Sequence, residues 1–163
     1  MEISWIHGIF AGILGAGLMI IAIVAGKIMG LATDMIRVQG LMFVQETRPK
    51  GVYAVGMISH LLFGAFFGLV YAILLTVTGA VYFVGAAAAY GAMFGVLHGV
   101  SVGLVLGAVP AVHPRMGSGQ VLQAPGFFGR NIGLGMPVAL ILLHIIYGVA
   151  AGVFYSVMTV GQI

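Results

Sequence analysis

From Gly51 to Pro114 the chain carries no Asp, Glu, Lys or Arg, and the same holds from Ile3 to Gly26 and from Asn131 to Ile163. No soluble fold tolerates this. A water-facing surface needs roughly a quarter of its residues charged, whereas only 6% of these 163 residues are. A membrane-spanning helix needs about 20 mostly apolar residues. The first and last stretches each hold one such helix. The middle stretch holds two, separated by a turn at Thr76, Val77, Thr78 and Gly79. The sequence therefore predicts four transmembrane helices, near 5–26, 53–76, 81–109 and 134–158. Continuous apolar runs such as Leu18 to Val24 and Val138 to Leu143 lack the period of two that an outer-membrane barrel strand requires. The absence of cysteine excludes disulfides and cysteine-ligated zinc or iron–sulfur sites.

The bases set an orientation. Lys27, Arg37, Arg48 and Lys50 follow the first span, and Arg115 and Arg130 follow the third. All six lie in loops on one face, which the positive-inside rule makes cytoplasmic. The expectation is a bacterial inner membrane protein with loops 27–52 and 110–132 inside and both termini outside. The first span reads as a helix, because no basic region precedes it as in a leader peptide. Six bases in two loops form no stripe for nucleic acid; attraction to membrane lipid headgroups accounts for the sign.

The chain repeats itself. His60-Leu-Leu-Phe-Gly64-Ala-Phe-Phe-Gly68-Leu-Val-Tyr71 returns as His144-Ile-Ile-Tyr-Gly148-Val-Ala-Ala-Gly152-Val-Phe-Tyr155, 84 residues later. Gly8, Gly12 and Ala16 match Gly91, Gly95 and Gly99 more loosely, at an offset of 83. The unit is a helical hairpin, 1–80 and 81–163, and the two copies enter the membrane in the same sense, related by an axis along its normal. Steps of four and three residues place each His, Gly, Gly, Tyr set on one helix stripe. Gly91, Gly95, Gly99, Gly103 and Gly107 form a second stripe. Lipid gives apolar surfaces no hydrophobic reason to associate, so close van der Waals contact along small-residue stripes holds such helices together. The fold class that follows is an all-α membrane protein, a compact four-helix bundle with glycine seams. Gly68, Gly152, Gly91, Gly95, Gly99 and Gly103 are assigned to helix packing.

Ionisable side chains inside a span are candidate functional groups. His60 lies ~10 Å from its cytoplasmic helix end, and His98 and His144 ~15 Å from theirs, at 1.5 Å per residue. Two readings are open. As ligands, His60 and His144 would face the axis and hold a b-type haem, with Gly64 and Gly148 leaving room for the macrocycle; two or three imidazoles also suit copper or zinc. As structural groups, the imidazoles would bond across helix seams, with Ser59, Ser101 and Ser156 as partners. His7 reads as interfacial.

In the second basic loop, three prolines and Phe127-Phe128 suit insertion at the interface, docking on a partner, or packing on the bundle end. His113, Arg115 and Arg130 are candidates for a headgroup phosphate or a haem propionate. In the first, Thr33 is a candidate cap for a short helix lying flat in the interface. No P-loop, His-Glu-x-x-His or Gly-x-Ser-x-Gly motif is present, and no acid lies inside a span to support a carboxylate relay.

The His-x-x-(Phe/Tyr)-Gly-x-x-x-Gly-x-x-Tyr pattern at 60–71 and 144–155 resembles that of small bacterial four-helix integral membrane proteins of unknown function. So does the first helix, ending Gly26-Lys27-Ile28-Met29-Gly30-Leu31. The likeness covers most of the chain. It implies the topology and the inner membrane and supplies neither an activity nor functional residues. Three functions remain as expectations. The first is a non-catalytic integral subunit of a larger respiratory, photosynthetic or oxidase complex, paired with other membrane subunits. The second is an electron-transfer protein carrying one haem b between His60 and His144. The third is a small-solute channel, which the shortage of polar groups in the spans makes the weakest.

Overall fold

In the computed structural model, residues 2–31, 34–44, 49–112 and 124–161 are described. They form α1 (Trp5–Ile28), α2 (Met35–Leu41), α3 (Pro49–Val77), α4 (Val84–Val112) and α5 (Met136–Val160), with no strand among them. Four of these helices are long and apolar enough to cross a membrane. The protein is an all-α membrane protein of two tandem hairpins, α1–α3 and α4–α5.

The turn between the hairpins falls where the sequence places it. Gly79 takes the left-handed conformation, φ 72°, and a 3-10 turn, Ala80–Tyr82, leads into α4. A side chain at that φ would be strained, so glycine fits there. Trp5, Tyr82 and Phe83 lie exposed at this end, the aromatic band expected at a membrane surface. The same end is closed by hydrogen bonds between helices. Tyr155, only 1% exposed, accepts from the Ser4 backbone N–H and pairs with Thr76 at 3.0 Å. Ser156 donates to the Val81 carbonyl, and His7 meets Thr159.

Glycine brings backbones together along both hairpins. A Cβ on Gly12 would overlap the Gly64 carbonyl, and one on Gly68 the Gly8 carbonyl; Gly91 and Gly148 exclude each other's Cβ in the same way. Gly152 abuts the Ala87 carbonyl, and Gly95 and Gly99 admit the backbone or Cβ of His144. The remaining two glycines of the α4 stripe serve otherwise. Gly103 lies under the Phe128 ring and Gly107 under the Phe127 ring. The phenylalanine pair of the second loop thus docks on its own α4, from a 3-10 turn, Phe127–Gly129, in which Phe128 itself has φ 56°. Pro110, expected in that loop, lies within the span of α4.

These contacts correct the register of the repeat. Gly64 faces Gly12 and Ala16, whereas its copy Gly148 faces Gly91 and Gly95. Gly12 therefore corresponds to Gly91 and Ala16 to Gly95, an offset of 79, one helical turn from the 83 that letter matching suggests. Glycines spaced by four look the same after a shift of four, so letters alone do not fix the turn.

The symmetry is also broken. α1 packs on both α3 and α5, and α4 packs on α5, but the backbones of α3 and α4 stay apart and only aromatic side chains meet between them. The helices form a curved row, α3–α1–α5–α4. The reason lies in paired positions. Gly15 of α1 admits Tyr147 of α5, with the Tyr147 carbonyl and ring 3.1–3.2 Å from a Cβ built on it. Its counterpart on α4 is Phe94, and that of Ala11 is Tyr90. Phe94 sets its ring edge-to-face against Tyr71 of α3, centroids 6.0 Å apart. Where one copy has a small residue and closes, the other has an aromatic ring and stays apart.

A chamber between α3 and α4

The gap is a chamber of about 350 Å³, within the size range of small-molecule sites. It occupies the half of the bundle nearer the basic loops. His60, Gly64 and Phe67 of α3 form one wall, and His98, Ser101 and Val105 of α4 the other. Met19, Leu140, His144 and Tyr147 form the back, and Met35, Gln39 and Met42 close the end. The lining is apolar apart from the imidazoles, Gln39, Ser101 and Tyr147. Methionine side chains, flexible and polarizable, adapt to irregular ligand shapes.

All three intramembrane histidines meet here. Counting 1.5 Å per residue, His60 lies ~16 Å and His144 ~12 Å from the basic-loop ends of α3 and α5. His144 is 6% exposed; its Nδ1 is 2.8 Å from the Leu140 carbonyl oxygen. That oxygen only accepts, so Nδ1 carries the proton and Nε2 keeps a lone pair. The Nδ1 of His60 is 3.2 Å from the Gln39 amide oxygen, which fixes the same tautomer. The Nε2 of His60 is buried and bonds to nothing in the protein. Nδ1 of His98 and the Tyr71 hydroxyl are buried without partners too. The His98 ring is 3.9 Å from Phe67 and meets His144 edge-on at 4.7 Å. Tyr147 seals the inner end by donating to the Gly64 carbonyl at 2.7 Å.

The bonds expected from serine are made elsewhere. Ser59 bonds to the Gly56 carbonyl, Ser101 to Leu97 and Ser156 to Val81. All three satisfy backbone carbonyls, so none serves an imidazole. Among the cofactor candidates, Gly64 lines the chamber, while Gly148 is packed against α4 and does not. Arg130 is exposed beside the Phe127–Phe128 turn and away from the chamber. His113 and Arg115 lie outside the described residues, as does Thr33. Among the described residues no three His, Asp or Glu side chains are placed to hold a bare metal ion, so the three imidazoles line one chamber without converging on a point.

Sequence reasoning expects a short helix in the first loop, which is α2, but misses its cap and its docking on α3. The N-cap of α2 is Asp34, whose carboxylate accepts from the Arg37 N–H. The helix docks on α3, where Gly40 abuts the Val52 carbonyl and Gly56 the Ile36 carbonyl. This seam brings Gln39 to His60. A clamp secures it: the Lys27 ammonium is 2.6 Å from Asp34, Tyr53 donates to the same carboxylate oxygen, and Lys27 is 3.0 Å from the Tyr53 hydroxyl. Burial alone would raise the Asp34 pKa, but the hydrogen bonds from Lys27 and Tyr53 outweigh it and hold the carboxyl below its usual range. The signal for this docking was Gly40 and Gly56, glycines on facing helices of unequal length.

No protein-family model matches the chain, and no curated protein or solved structure matches it.

Proposed function

We propose that this is a non-catalytic, multi-pass protein of a bacterial inner membrane that holds a small apolar ligand in the chamber between α3 and α4, as one subunit of a larger membrane assembly. The observation that carries the reading is the chamber itself. The fold repeats a hairpin that closes tightly in three of its helix interfaces, yet it keeps the fourth open with Phe94 and lines the opening with three imidazoles. A bundle built only to fill space gains nothing from buried nitrogens without partners, which cost free energy. The broad apolar outer surface of α1, α3 and α4 offers neighbouring helices a face to pair with. The distribution of bases supports an orientation with the chamber in the cytoplasmic half and both termini outside. The hydrogen-bonded closure at Tyr147, Tyr155 and Ser156 weighs against a channel.

Purification of the full chain from its own membranes in mild detergent, followed by native mass spectrometry, tests both parts. The expected result is a bound small molecule that Val105→Trp, which fills the chamber, displaces, together with co-migrating membrane subunits. An empty, monodisperse protein without partners would refute the reading.

A further inference from the structure

We infer that the chamber takes an apolar molecule carrying one hydroxyl group, whose oxygen accepts from His98 Nε2 and donates to His144 Nε2. The inference rests on the ligand-binding reading above and names the chemistry of its ligand.

The chamber opens toward lipid. α3 and α4 are the two ends of the helix row, and Phe63 of α3 and Val105 of α4 are both exposed and part of the lining. A guest entering between them comes from the hydrocarbon of the bilayer, where a charge is costly and an apolar body is not. The haem expected between His60 and His144 does not fit. No water molecule could reach His60 Nε2, so no metal could, and no Arg or Lys lines the chamber to meet the propionates.

Most polar groups of the lining are spent within the protein. Tyr147 and Ser101 donate to the Gly64 and Leu97 carbonyls, and the Gln39 amide oxygen accepts from His60. Behind the end wall that Gln39 forms, Nε2 of His98 and Nε2 of His144 remain. Neither has a partner among the described residues, and neither is sealed as His60 Nε2 and His98 Nδ1 are. Both residues line the chamber.

These two nitrogens are complementary. His144 gives its proton to the Leu140 carbonyl through Nδ1, so Nε2 can only accept. The side chain is 6% exposed, and a lone pair held there without a donor costs free energy. In His98 the sealed atom is Nδ1. Buried N–H groups without an acceptor are rarer than buried acceptors without a donor, so the His98 proton sits on Nε2. One ring thus offers a proton and the other takes one. Their centroids are 4.7 Å apart, a separation that lets one oxygen stand about 3 Å from a nitrogen of each. A hydroxyl, with a lone pair and a proton on the same atom, satisfies both rings. An ether or ketone satisfies His98 alone, and a hydrocarbon neither.

The test is equilibrium binding to the full chain in mild detergent, with radiolabelled naphthol, farnesol and the methyl ether of each. Val105→Trp gives the background of probe dissolved in detergent. The expected result is saturable binding of at least one alcohol above that background, about 10-fold or more tighter than its ether. Naphthol alone would identify a phenolic ring as the ligand body, and farnesol alone an isoprenoid chain. His144→Phe should erase the preference for alcohol over ether, and His98→Phe should weaken both. The wild-type comparison reports the hydroxyl by itself, so it decides the matter where a variant fails to fold. Equal binding of alcohol and ether, a preference that survives in folded His144→Phe, or no binding above background each overturns the inference. If native mass spectrometry then still finds a small molecule that Val105→Trp displaces, the ligand-binding reading survives; if it finds none, both fall.

Discussion

Replacing Gly12 and Gly17 by alanine, two changes of identical chemistry on one helix, separates glycine's role in the seam from its effect on helix propensity. Gly17 has no atom within 4 Å of a built Cβ. Gly17→Ala should therefore stabilise α1 by about 0.5–1 kcal/mol, the usual gain on removing a glycine from a helix interior. At Gly12 the same methyl would overlap the Gly64 carbonyl and stand 2.7 Å from Gly68 Cα. Carbon atoms prefer about 3.5–4.0 Å, so α1 and α3 must part by about 1 Å. Both partners are backbone, and no rotamer relieves the clash. A gap of that size forfeits a quarter to a half of each dispersion contact along the seam, and overpacking of this kind costs about 1–3 kcal/mol. The propensity gain is common to both variants. Their difference therefore isolates the clash: Gly12→Ala should be less stable than Gly17→Ala by about 1–3 kcal/mol. Titration with sodium dodecyl sulfate in mixed micelles, followed by far-ultraviolet circular dichroism, measures it. Equal stability of the two variants would refute the claim that glycine contact holds this hairpin.

The Asp34 clamp makes the attachment of α2 acid-labile. Because the folded carboxyl titrates below its unfolded value of about 4, its contribution is complete at neutral pH and is lost as pH falls through the lowered value. Hydrogen exchange over residues 35–41, corrected for intrinsic rates, should rise at acid pH, and Asp34→Asn should exchange fast at every pH. Swapping the paired bulk tests the origin of the chamber: Gly15→Phe should drive α1 from α5 and destabilise the bundle, whereas Phe94→Gly should let α3 and α4 close, read out as stronger cysteine cross-linking between them. Single cysteines at Met29 and Arg130 should label from one side of the membrane, with a cysteine at Phe83 labelling from the other; labelling of Met29 and Arg130 from opposite sides would overturn the tandem-hairpin topology.

Much of the site could be read from letters because its elements are local. The spacing His60, Gly64, Gly68, Tyr71 and its copy mark one stripe on each of two helices, and periodicity alone places the histidines at similar heights. The partners of those histidines could not be read. Ser59, Ser101 and Ser156 are near in sequence, yet each bonds a carbonyl of the protein backbone, and Gln39 reaches His60 only because Gly40 and Gly56 let α2 dock on α3.

The sequence by itself determined the solvent of this protein, the number of its spans and the glycine stripes along which helices touch, since uncharged length and residue period are properties of the chain alone. Tertiary structure decided which turn of one stripe meets which turn of the next, because steps of four repeat after every shift of four. It also decided that α3 and α4 stay apart. Gly15 and Phe94 acquire opposite meanings only when each is set against the helix it faces, and that is a matter of volume meeting volume in three dimensions.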